Sequence, residues 1–177
     1  HGFTTAAILP FWVILLTEAG MGAVYFVWMT SVGALGYILA LHGWGRLIDN
    51  HGSRPAFAIA LVSKGAMGLM WLALPSDALM HILWATGLYF FWGVLESGAS
   101  IAQNRAMMDA VPGEHQAEGF ALAVYASAIG GACGGLAGGF ALQWLTPTAE
   151  SSGDARLLYL AGVQVALIGV WYLSTFL

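Results

Sequence analysis

Two charged side chains stand alone inside long apolar stretches, Lys64 within 56–75 and Glu96 within 78–104. A charge in hydrocarbon costs roughly 2.5 kcal/mol or more on insertion scales, so such residues are candidates for contact with a solute, an ion or a proton. Each lies nine residues from a polar boundary, Lys64 from Pro55 and Glu96 from Arg105. At about 1.5 Å of helical rise per residue, both sit roughly 13 Å deep. On consecutive antiparallel helices they meet as an ion pair, or Glu96 faces a cavity and takes up a proton. The plainer reading is a structural pair, or a lysine that snorkels toward water along its aliphatic stem. Gln164, Tyr89 and Trp92 are weaker candidates for the same site, with Tyr25, Trp28 and Tyr37 as further cavity aromatics; Gln103 and Asn104 flank one end. Most aromatics in such a chain simply pack or sit at an interface.

The second constellation is the polar stretch 45–55, set between two apolar runs. Two long helices have to reverse direction within about ten residues, which favours glycine at each end: Gly45 for close backbone approach, Gly52 for a positive φ. Pro55 suits the first turn of the next helix. Asp49, acceptor-only when ionised, is suited to the N–H groups of a neighbouring helix N-terminus. Arg54 has Asp109 and Glu114 as acidic partners on the same side, with Arg105 nearby, so a latch can form in one conformation and break in another.

These residues need helices long enough to carry them, and the composition supplies such helices. With 59% hydrophobic and 8% charged residues, and a mean hydropathy of +0.78, too little polar surface exists to cover a soluble domain. Residues 19–45, 119–149 and 157–177 contain no Asp, Glu, Lys or Arg, and each exceeds the roughly 20 residues of a spanning helix. With 56–75 and 78–104 added, the expectation is an all-α integral membrane bundle. Its spans are about 22–44, 56–75, 78–104, 119–144 and 157–177, with a partial span at 3–17. Unbroken apolar runs argue against a β-barrel, which alternates polar and apolar residues. The first 22 residues have no basic residue, unlike a secretory leader. Arg46, Arg54 and Arg105 share one side, against Arg156 alone on the other, so that side reads as cytoplasmic. A net charge of −4 without a basic cluster argues against nucleic acid.

The stretch 45–55 resembles the loop signature of the major facilitator superfamily in the form G-x-L-x-D-x-x-G-x-R-P, carried here by Gly45, Leu47, Asp49, Gly52, Arg54 and Pro55. Asn50 and Ser53 stand where the fuller version has basic residues. The resemblance implies a secondary transporter: alternating access by two six-helix halves around a central site for a small solute, driven by the solute's gradient or by a coupled proton or ion. The superfamily repeats the signature in each half. An arginine inside the fourth helix is usual for the N-terminal half, whereas 78–104 carries Glu96 and no arginine. On this resemblance the chain is a fragment, the C-terminal half from the end of helix seven through helix twelve. Its partners are then the missing N-terminal half of the same transporter, the solute and the lipid bilayer, in a bacterial cytoplasmic (inner) membrane or a plasma membrane. A transporter-like sensor or scaffold is the alternative.

Gly130, Gly131, Gly134, Gly135, Gly138 and Gly139 form small-residue repeats at spacing four, a pattern for close helix approach. The resemblance aligns this span with the superfamily's eleventh helix, which carries a weaker version of a glycine-rich motif. Enzyme chemistry finds no support. His42, His51, His81 and His115 are scattered without H-E-x-x-H or a Cys pair. Ser97-Gly98-Ala99-Ser100 lacks a histidine base in the last two spans. No G-x-x-x-x-G-K-[ST] cradles a phosphate. No cofactor or metal is expected, and Cys133, the one cysteine, cannot form an internal disulfide.

Overall fold

The computed structural model describes residues 22–73 and 77–145. Among the described residues four α-helices follow one another: α1 Ala23–His51, α2 Ser53–Met70, α3 Ala78–Ala110 and α4 Gln116–Leu145. A 3-10 turn, Trp71–Ala73, prolongs α2, and another, Gly113–His115, leads into α4. Among the described residues there is no strand. A backbone in lipid must satisfy its own hydrogen bonds, and in uninterrupted apolar segments the helix does so locally. The chain divides into two units, Met21–Gln116 and a second to which 117–145 belong. Each is described by itself.

The helix ends follow from a few residues. Asp77 caps α3, its carboxylate accepting from the Met80 N–H at 3.1 Å. At the other end of α3, Val111 is extended ahead of Pro112, the conformation that proline imposes on its predecessor. Between α1 and α2 the turn is far shorter than the sequence reading expects. The polar stretch is helical through Asp49, Asn50 and His51, and a single residue, Gly52, makes the break. No helix breaker lies between Gly45 and Gly52, and buried Ile48 continues the packed face of α1, so the helix runs on. Gly52 has φ +88° and ψ 167°, a conformation essentially restricted to glycine, and its N–H donates to the Ile48 carbonyl at 2.8 Å. Pro55 sits in the first turn of α2, where a missing N–H leaves nothing unsatisfied.

Among the described residues, three helices are long and apolar enough to cross a membrane: Ala23–His51, Leu79–Ala110 and Gly113–Ala137. They cover the expected spans 22–44, 78–104 and most of 119–144. The expected span 56–75 is different, since α2 ends at Met70 and holds Arg54 and Lys64. Its 18 residues make about 27 Å of helix, and only the 3-10 turn carries it further. The partial span 3–17 and the span 157–177 lie outside the described residues.

Within Met21–Gln116, α3 is the central element. It packs on α1 through glycines: a Cβ on Gly33 would lie 3.0 Å from the Tyr89 carbonyl oxygen, one on Gly36 would strike the Phe90 carbonyl, and one on Gly93 would strike the Gly33 carbonyl. Trp44 fills the hollow at Gly98 and donates its indole N–H to the Val94 carbonyl at 2.7 Å. On the other side, α2 presents a buried stripe of Ala56, Ala60, Lys64 and Met67, ending at Trp71. That helical spacing leaves Lys64 in mid-stripe.

Candidate functional site

Lys64 is enclosed, its side chain 8% exposed, and its ammonium donates to Glu96 Oε2 on α3. Of the alternatives open at the sequence level, the structure has the ion pair; a snorkelling Lys64 is ruled out by its place in the buried stripe of α2. The ammonium also lies over the Trp92 ring, 4.2 Å from its centroid, a cation–π contact. Trp92 and Glu96 are four residues apart on α3, so both reach the same ammonium.

Glu96 faces a second way as well. Its side chain is 29% exposed and lines an open groove of about 490 Å³ between α1 and α3. α1 contributes Thr30, Gly33, Ala34, Tyr37 and Ile38, and α3 contributes Tyr89, Trp92, Gly93 and Glu96. Both sets fall at i, i+3, i+4, i+7 spacing, one face of each helix. Among the described residues lining it, Glu96 is the only charged one. The Tyr89 ring is held edge-on by Phe26 and Trp71, at centroid distances of 6.3 and 5.8 Å. The Thr30 hydroxyl is engaged with the Phe26 and Val27 carbonyls of its own helix, at 3.0 and 2.9 Å.

Of the sequence candidates, the structure thus brings Lys64, Glu96, Trp92, Tyr89 and Tyr37 together. Tyr25 and Trp28 are exposed and lie outside the groove, and Gln164 lies outside the described residues. Sequence reasoning missed Thr30, Gly33, Ala34, Ile38 and Gly93. The helical spacing of small residues opposite the aromatics was the signal that could have found them.

The signature residues have separate fates. Leu47 packs against a cluster of Ile48, Ala56 and Ala102, where α1, α2 and α3 converge. Gly45 has open space where a Cβ would go, so it makes no close approach of the kind expected. Asp49 and Arg54 are exposed, and among the described residues neither forms a hydrogen bond or ion pair. The N-terminus of α2 has no side-chain cap. The acids expected to pair with Arg54 are engaged locally: Asp109 with Arg105, one turn away on α3, at 3.4 Å, and Glu114 with His115 at 3.9 Å. Arg105 itself belongs to α3, not to a loop. Arg54 pairs with neither acid in this structure.

The glycine repeat lies on α4, where Gly130, Gly131, Gly134, Gly135, Gly138 and Gly139 are all helical. A Cβ at Gly135 or Gly139 would lie in open space, and Gly134 is buried; among the described residues, close backbone approach is seen at Gly33, Gly36 and Gly93. Cys133 is exposed. Among the described residues no three His, Cys, Asp or Glu side chains gather where a metal ion would fit.

Comparison with known proteins gives one result that covers the chain. No curated protein and no solved structure matches it. The family model described as Major Facilitator Superfamily matches residues 1–177, the whole length given. Its apolar membrane-crossing helices accord with a membrane protein of transport, and the chain belongs to the Major Facilitator Superfamily.

Proposed function

We propose that the chain is the C-terminal half of a secondary transporter, pairing with an N-terminal half to move a small solute by alternating access. The single observation that carries the reading is the groove between α1 and α3, with one charged side chain, Glu96, tethered from behind by Lys64. A mostly apolar concavity with few, convergent polar groups is the usual form of a small-molecule site. Glu96 is the solute or proton contact, and Tyr89 and Trp92 are its aromatic walls.

Five full spans after a partial one, with the Arg46, Arg54 and Arg105 end on the cytoplasmic side of an inner or plasma membrane, complete the reading. The C-terminal assignment is supported by α3, whose only arginine, Arg105, is exposed near the helix end. Uniport, symport and antiport are all compatible with this arrangement, and no catalytic step is proposed.

A test independent of the solute uses Ala34→Cys in a complete transporter whose other cysteines, Cys133 included, are replaced by serine. In the complete transporter, a membrane-impermeant maleimide should modify the introduced thiol from either face, in right-side-out and in inverted vesicles. Modification from one face only defeats alternating access at this groove.

A further inference from the structure

We infer that the groove between α1 and α3 takes a small amphipathic organic cation, with Glu96 as its counter-ion and Lys64 as the internal cation it competes with. The inference rests on the transport reading above and adds a substrate class to it.

The ion pair has a direction. The ammonium of Lys64 is enclosed between α2 and α3, while the carboxylate of Glu96 is partly exposed and lines the groove. A molecule in the groove therefore meets the negative end of the pair first. An anion would meet a carboxylate with its compensating charge behind it, and a cation would meet an acceptor. The aromatic walls favour the same sign, because ring faces attract cations. Trp92 lines the groove and its ring also lies against the Lys64 ammonium, 4.2 Å from its centroid.

The rest of the lining sets the body of the ligand. Gly33, Ala34 and Ile38 are apolar, and Thr30 has its hydroxyl engaged with its own helix. Beside Glu96 the lining's polar side chains are Thr30, Tyr37 and Tyr89, so most hydroxyls of a polyol would lose their hydration without return. A single charge on an aromatic or aliphatic body matches one carboxylate in an apolar trough. The volume of about 490 Å³ suits a small molecule. When such a cation takes Glu96, the tether between α2 and α3 weakens, so binding and helix movement are coupled through one carboxylate.

Three phenyl-bearing probes of different charge test this: tetraphenylphosphonium and tetraphenylborate, which share one shape, and the neutral, smaller triphenylphosphine oxide. The full-length protein in nanodiscs, carrying Ala34→Cys with its other cysteines, Cys133 included, replaced by serine, is treated with N-ethylmaleimide in the presence of each. The phosphonium should slow modification at least tenfold and saturably, with the borate and the oxide much less effective. Adding Lys64→Met and Glu96→Gln together, which removes both charges and leaves neither unpaired, should erase the difference among probes. Equal or better protection by the borate overturns the inference, as does phosphonium protection that survives the double substitution. If the thiol reacts from both faces of vesicles and no probe protects it, the substrate class is wrong and the access reading stands. If the thiol reacts from neither face, the transport reading fails and takes this inference with it.

Discussion

The Gly33 carbonyl of α1 occupies the space that a Cβ on Gly93 of α3 would need. A backbone atom cannot rotate away as a side chain does, so Gly93→Ala should force the two helices apart. Overpacking of this kind costs about 1–3 kcal/mol or more, read as a lower unfolding temperature in detergent. Gly45→Ala is the control. It lies in α1 with open space around it, and should be neutral or stabilising by about 0.5–1 kcal/mol.

Gly52 carries a different constraint, since its backbone angles are closed to residues with a Cβ. Gly52→Ala should therefore cost about 1–3 kcal/mol although nothing lies within 4 Å of the new atom. Gly52→Asn should be no better, because ψ near 167° lies outside the left-handed helical region that asparagine tolerates. Thermal unfolding of both variants checks this.

The ion pair predicts a non-additive double-substitution cycle. Lys64→Met leaves a carboxylate in an apolar trough, and Glu96→Gln leaves an enclosed ammonium without its anion. Each single change should destabilise by about 2–3 kcal/mol, the double change by less than either. Denaturation of the four proteins in one detergent measures it; additive losses would mean the pair contributes nothing as a pair.

Asp49 and Arg54 are exposed in this conformation, so Asp49→Asn should leave insertion and stability unchanged within about 0.5 kcal/mol. If Asp49 bonds only in another stage of the cycle, solute uptake by the complete transporter in vesicles should slow roughly tenfold, which corresponds to about 1.4 kcal/mol in the barrier. Wild-type uptake would show that the aspartate has no part in gating.

How much of this was legible in the sequence depended on the range of the interaction. Lys64 and Glu96 stood out because a lone charge in an apolar run needs a partner, and equal depth on neighbouring helices named one. The loop signature gave the family on six residues. Its geometry was less legible, since polar composition at 45–52 suggested a loop whereas helix continues until a residue that breaks it. The glycines were legible only in part: the dense repeat on α4 drew attention, while the isolated Gly33, Gly36 and Gly93, which form a close contact between α1 and α3, did not. Spacing within one helix cannot say which face another helix will meet. The groove was half visible for that reason, with its aromatics noted and the small residues of its opposite wall overlooked.

A one-residue joint is also a pivot. Because α1 and α2 are joined by Gly52 alone, two dihedral angles set how one helix leaves the other, and the Ile48, Ala56 and Ala102 cluster packs beside that joint. Lys64 stands about 18 Å along α2 from that pivot at about 1.5 Å per residue. A swing of about 10° would carry its Cα roughly 3 Å, enough to part an ammonium from a carboxylate at hydrogen-bond range. Leverage of this kind would let a small rotation at Gly52 make or break the Lys64–Glu96 pair beside the groove.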